Sequence, residues 1–493
     1  MEKKEKTKVG QAVFILSCLI LSVFFTGCED NTVETKRVLH NPDLPVTITT
    51  FSPDSGRVAT QMLIDGENFG GYKDGISVRI NGKEAAVISV NPEGTLIYCI
   101  VPSLRDEETR EDGDQIDATV QVYVGEVASN KLDKQLAYTF SQNVSTFLGF
   151  TDQDGKTAVI DGKFDEAQFQ NPFWLAFDTD LYGPVDAQGR HKKNVYLIEE
   201  NIGLRYIDMY EKTVSTVFRT GNGVDRPRTI AFTKNTNQLE NYRDTMIIAN
   251  DGGDWGSNGT IIIPRDTVTR RFLGPWQSVM HHKQCNGGAI HPISGDYWFN
   301  SYEKSQVYKV FNRAVQPWLY GGPSASDLNA DAQDGTHFFF LVQDNNWEFN
   351  IQIAPDGKIA YIVSKNQHYI AKMEYDFIKA AFGTPYPFVG AKQKSGFKDG
   401  LGLETLFNQP QQGAFDKDNN FYVCDGENNC IRKVTPAGQV SVFAGRQDMR
   451  GYSDGALRDA QFDRPFGIIY DDEIQTFYIA DRSNSRIRTI KVE

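Results

Sequence analysis

The sequence predicts an all-β chain, a small sandwich followed by a six-bladed propeller that one of its own early strands closes. Three observations predict it. Residues 399–445 return as 454–490: Asp399-Gly400, Phe407, Pro410, Phe421-Tyr422-Val423-Cys424-Asp425, Asn428 and Ile431-Arg432 reappear as Asp454-Gly455, Phe462, Pro465, Phe477-Tyr478-Ile479-Ala480-Asp481, Asn484 and Ile487-Arg488. A repeat of this period, with four short apolar runs, is one propeller blade. The last copy stops one strand short, and Val144-Ser145-Thr146-Phe147-Leu148-Gly149 matches Val440-Ser441-Val442-Phe443-Ala444-Gly445, the strand it lacks. Residues 44–140 read differently, as short strands of alternating polarity separated by Asn-Gly and Pro/Gly turns, the pattern of an antiparallel sandwich.

The N-terminus comes first. Lys3, Lys4, Lys6 and Lys8 precede an apolar run from Val13 to Phe25, too short to span a bilayer as a mature helix. The run ends in Phe25-Thr26-Gly27-Cys28. This resembles a bacterial lipoprotein signal, and Glu29-Asp30 resemble the surface-export signal of Bacteroidetes lipoproteins. The resemblance implies a signal peptide over 1–27, lipidation of Cys28, a flexible tether over 28–43 and a surface-exposed place on the outer membrane. Each buried methylene of an acyl chain adds about 0.8 kcal/mol of membrane affinity. Removing 1–27 takes away four Lys and two Glu, so the net charge moves from −13 to −15. That balance repels phosphate backbones and excludes nucleic acid as a partner.

The sandwich segment carries Phe51-Ser52-Pro53 with Ser55-Gly56, then Gly66-Glu67-Asn68-Phe69-Gly70, Val78 to Gly82, and Val101-Pro102. These phrases resemble the IPT/TIG family, which implies an immunoglobulin-like domain over 44–140 that acts as a spacer. Gly66 and Gly70 are read as turn residues.

The propeller is expected over 144–493. Its unit resembles the NHL repeat: Asp-Gly, a Phe, a Pro, an inner strand, a Tyr-Val-Ala-Asp-like strand, Asn-x-x-Ile-Arg, and an outer strand. The spacing from Asp-Gly to Phe is the same at 161–169, 399–407 and 454–462. Three degenerate copies lie between, around Arg226 to Asn250, Asn286 to Val310 and Phe349 to Met373. Asp425 and Asp481 read as acceptors for the turn that follows them. Cys424 and Cys430 fall on neighbouring strands, so a bridge and two buried thiols both stay open.

In this strand order, the segment before each inner strand and the turn after each second strand rim one mouth of the channel. Rigid scaffolds gather binding groups on such loops. The candidates are Trp174, Arg228, Trp255, Asn286, Tyr302, Trp347, His368, Gln412 and Arg482, with Glu200, Asp251, Lys365 and Gln411 also on the rim. Aromatic faces beside amides and charged groups suit a sugar, whose apolar face stacks and whose hydroxyls are gripped. Any single Trp also has a core reading, and only Trp255 sits in a glycine-rich loop. No nucleophile elbow, His-Glu-x-x-His or phosphate loop is present. Hence no catalytic residue and no cofactor is expected, although His281 and His282 are metal candidates. The expectation is a surface lipoprotein that binds a glycan, with a glycan transport complex as a partner. Two alternatives remain: a polysaccharide lyase or hydrolase using His281, His282, His368 and Arg228 in the channel, and a protein-docking module.

Overall fold

The computed structural model describes residues 37–492 except 59, 105–112, 152–155, 181–184, 186–190, 192, 222, 234–244, 253–257, 267, 274–276, 282–284, 302–305, 311–337, 342–347 and 448. The signal segment and Cys28 lie outside them. The chain divides into two compact units, one up to Leu104 with Gln115–Thr139, the other Arg105–Asp114 with Phe140–Glu493.

The first unit is built from two sheets. Seven strands pair in the order Thr47–Ser52, Gln61–Glu67, Leu96–Ile100, Lys83–Val90, Ile76–Ile80, Val120–Val124, Val127–Ala128; three more are Ser55–Gly56, Leu136–Thr139 and Gln115–Ala118. Gln61–Glu67 alternates strictly between exposed and buried residues. Period two sends Met62 and Ile64 to one face, beside the buried Phe51, Val78, Ile97 and Val122. Gly70 has φ +78°, as a turn residue should. Gly66 does not turn the chain. It lies within a strand, and a Cβ there would stand 2.0 Å from the Thr47 carbonyl oxygen. Close approach of two strands explains this glycine.

Among the described residues the second unit holds six sheets of four or five strands. The innermost strands are Pro172–Thr179, Pro227–Phe232, Gly288–Ile290, Phe349–Ile353, Pro410–Phe415 and Pro465–Asp471. Each packs on the next, and the last packs on the first, so they form a circuit around the channel.

The expected seam is present. Gln142–Leu148 pairs antiparallel with Arg486–Val492, in register from Gln142 opposite Val492 to Thr146 opposite Arg488, with a bulge before Leu148 opposite Ile487. It holds the place that Gln439–Gly445 and Thr213–Arg219 take in the fifth and first sheets. The backbone N–H of Thr146 donates to Asp454 at 3.0 Å, as that of Thr216 donates to Asp161 at 2.9 Å. Val144 is buried with Ile468, Ile479 and Ile490, and Leu148 with Phe169, Leu175 and Ile487. The seam strand therefore anchors two clusters, one on each side of the sixth sheet.

The Asp-Gly and Arg of the clean repeats meet in space. Arg205, Arg432 and Arg488 are fully buried. Arg432 donates to Asp425 at 2.9 Å and Asp399 at 2.6 Å; Arg488 donates to Asp481 at 2.8 Å and Asp454 at 2.6 Å; Arg205 donates to Glu199 and Asp161. Asp425 also accepts from Asn428, and Asp481 from Asn484, so both serve the turn after them. Burial raises both carboxyls to about 6, against the pull of the arginine and the amide donors.

Cys424 and Cys430 are not bridged to each other and are buried, and Cys99 and Cys285 are buried too. Burial pushes the Cys99 thiol up to about 12 and lifts Cys424 and Cys430 well above the usual range. Thiolates are the reactive form. A chain starting at Arg37 is expected to resist a thiol-specific disulfide reagent when native and to release four equivalents in denaturant. Rapid native labelling would contradict the packing.

Candidate functional site

One hydrogen bond, repeated around the ring, builds the mouth of the channel. In five sheets the polar residue closing the second strand accepts a backbone N–H from the segment before the inner strand. Glu199 accepts from Gln170, Asn250 from Arg226, Asn300 from Asn286, Asp425 from Asn408 and Asp481 from Asp463. This fixes the two stretches expected to rim the mouth. The residue after each closing position is Glu200, Asp251, Ser301, Lys365, Gly426 or Arg482, with Ser364 closing the fourth strand pair. The inner strands contribute Phe173, Arg228, Asn350, Gln411 and Phe466, each one step beyond the residue paired to that closing position, and Gly288, one step beyond the Gly287 that accepts from the Asn300 N–H.

Phe173, Arg228, Asn350, Lys365, Gln411 and Phe466 of these line a depression that is open to solvent. Its lining includes Phe173, Trp174, Arg228, Asn286, Glu348, Asn350, Lys365, Gln411 and Phe466. The channel continues below, lined largely by the inner strands and their apolar residues Ala176, Ile230, Ile351 and Ile469.

Charge organises the depression. Arg228 is nearly buried. Its Nη2 and Nε donate to Asp251 at 3.0 and 3.3 Å, and its Nη1 donates to Glu200 at 2.9 Å. Glu200 also accepts from Arg482, and Arg226 lies 3.4 Å from Asp251. Across the mouth, Glu348 pairs with Lys365 at 3.2 Å and accepts from Asn366 at 2.7 Å. Burial lifts the Asp251 carboxyl above its ordinary value, opposed by Arg228 and Arg226. Burial pushes Glu348 the same way, but Lys365 and Asn366 outweigh it and leave that carboxyl below the usual range. Phe173 and Phe466 stack at 3.8 Å, and the Arg482 guanidinium lies 5.9 and 5.7 Å from their centroids. Cation–π attraction helps hold Arg482 over them.

The structure brings Trp174, Arg228 and Asn286 into one depression, with Arg482 tied to its edge through Glu200. Trp174 is only 4% exposed, so its ring offers little face for stacking. Gln412 lies in the channel and braces three strands. Its amide accepts from the N–H groups of Leu175 and Ile468 and donates to the Leu175 carbonyl. His368 is a turn residue at φ +61° whose Nδ1 accepts from the Gln409 N–H, and it is not among the residues lining the depression. Burial lowers its pKa, which favours neutral imidazole. Trp255, Tyr302, Trp347 and His282 lie outside the described residues; His281 ends the strand Gln277–His281. Among the described residues no three His, Cys, Asp or Glu side chains are grouped to hold a metal. Sequence reasoning missed Glu348 and Asn350. Aligning Ser364 with Glu199 and Asp425 would have found Asn350, which then falls at the position of Arg228 and Gln411.

The IPT/TIG domain family matches residues 45–138. Three solved Bacteroides structures each cover 92% of this chain. An auxiliary nutrient binding protein from Bacteroides thetaiotaomicron is 33% identical, with a TM-score of 0.64 over 99% of its own length. A protein described as a putative phosphatase from the same species is also 33% identical, with a TM-score of 0.66 over 99%. An auxiliary nutrient binding protein from Bacteroides ovatus is 25% identical, with a TM-score of 0.68 over 100%. Among curated proteins, SUPPRESSOR OF QUENCHING 1 of Arabidopsis thaliana is 25% identical over 343 residues, or 68% of this chain, and human NHL repeat-containing protein 2 is 27% identical over 97 residues, or 19%. The chain spans about a quarter of the first of these and 13% of the second.

Proposed function

Because the chain belongs to a family of Bacteroides proteins that join an IPT/TIG domain to an NHL-type propeller, we propose that it is a cell-surface lipoprotein that captures a glycan at the propeller mouth. In this reading Cys28 carries the lipid, the IPT/TIG domain is the spacer, and the captured chain passes to a transport complex in the outer membrane. The names of two relatives, auxiliary nutrient binding proteins, support a capture role. One observation carries it: Asn286, Asn350, Gln411 and the ion-paired Arg228 line one open depression. Planar amides and paired charges match the donors and acceptors of sugar hydroxyls. The described aromatic rings there are buried, so polar contacts supply most of the grip.

Affinity electrophoresis of the mature ectodomain against a polysaccharide panel tests this. Each hydrogen bond is worth about 1 kcal/mol, so Asn350→Ala combined with Gln411→Ala is expected to weaken retention about tenfold or more. The melting temperature should move little. Unchanged retention in the double variant would remove the mouth as the site.

A further inference from the structure

We infer that the mouth selects an acidic glycan, one that carries a carboxylate or a sulfate. This rests on the reading of the mouth as the glycan site and names its ligand class. Five charges run in a chain across three sheets in the order Arg226, Asp251, Arg228, Glu200, Arg482. Both acids are interior, and each is shared between two arginines. Three cations thus divide two anions, and the chain carries one net positive charge. Among the described residues its charged neighbours do not cancel that charge, because Glu348 pairs with Lys365 and Glu427 with Arg464, both neutral overall.

The surplus sits where a ligand can reach it. Arg228 is almost buried, with Nε and both Nη groups engaged by Glu200 and Asp251. The two ends are open: the side chains of Arg226 and Arg482 are 44% and 30% exposed. The guanidinium of Arg482 is backed by Phe173 and Phe466, which keep water from one of its sides. An arginine held in this way presents its remaining donors to the paired oxygens of an oxyanion, the fork geometry that carboxylate and sulfate both match.

The chain as a whole carries a charge of −13, which opposes a polyanion at long range. At physiological ionic strength that field is screened beyond about 8 Å. Contacts within the depression therefore decide selectivity, and the distant charge sets only the rate of approach.

Matched polymers differing only in charge test the inference: polygalacturonate against its methyl ester, and chondroitin sulfate against desulfated chondroitin, beside neutral galactan and dextran. The mature ectodomain is expected to retain an acidic polymer and to lose it when its anion is esterified or removed. The esterified and desulfated arms tell carboxylate from sulfate. Arg482→Gln should weaken that binding about tenfold or more, while Arg482→Lys recovers part of it. The melting temperature, read in parallel, shows that both variants fold. Retention of neutral polymers equal to that of acidic ones, or indifference to Arg482→Gln, overturns the inference and leaves glycan capture standing. Retention of no polymer at all overturns both.

Discussion

Deleting Gln142–Leu148 abolishes cooperative unfolding of the propeller, while removing residues 37–139 lowers its melting temperature by a few degrees at most. That is the expected outcome of the seam. The strand is the fourth of the sixth sheet, counted from the channel, and buries Val144 and Leu148 in separate clusters. Phe147 adds edge-on contacts to Phe164 and Tyr478 at 5.3 and 5.2 Å. Fully burying each such side chain is worth roughly 1.5–3 kcal/mol. Val144 and Leu148 together reach about 3–6 kcal/mol and the half-buried Phe147 adds to that, against the roughly 5–15 kcal/mol that holds a typical domain together. Deletion also exposes the unpaired edge of Arg486–Val492, an invitation to aggregate. The residues of the first unit bury their own core, so their loss should leave these terms intact. Calorimetry of the two truncations decides the matter: equal melting temperatures would refute the seam.

Arg432→Leu should cost about 3–5 kcal/mol, because it strands the buried Asp425 without its cation. The half-exposed Asp399 can rehydrate; Asp425 cannot. Adding Asp425→Asn should recover part of the loss, since the buried charge disappears with its partner. Urea melts of the single and double variants measure this. Glycan retention by the folded fraction should change little, because Arg432 does not itself line the depression and Asp425 keeps its bond to the Asn408 N–H. A cost near 1 kcal/mol for Arg432→Leu would show that the triad is not holding the blade.

Much of this architecture was legible because repetition carries it. The shared spacing from Asp-Gly to Phe located the clean sheets, and the likeness of Val144–Gly149 to Val440–Gly445 located the seam. The mouth was legible only in outline. Strand order told which turns share a rim, and Arg228 and Asn286 followed from it. What lay beyond reach was pairing across the ring. Glu200 and Arg482 are 282 residues apart, and nothing local links them until the circuit closes. Side-chain direction was the other gap. Gln412 looks like a sugar-binding amide in a sequence, yet its amide is spent on the backbone of Leu175 and Ile468. Trp174 looks like a platform, yet neighbouring sheets cover it. Gly66 looks like a turn, yet what it meets is the carbonyl of an adjacent strand.

The seam also imposes an order in time. Ser145 bonds Thr489 across 344 residues, so the strand made first in this unit finds its partner last. At roughly 5–20 residues per second, a ribosome takes about 17–70 s to supply that partner. Until then Gln142–Leu148 has only solvent or the wrong edge to pair with, and the entropy of so long a loop delays the rest. Completion of the ring thus waits until Arg486–Val492 has been made, and a chain threaded through a membrane pore as an open strand would lock only after that strand has crossed.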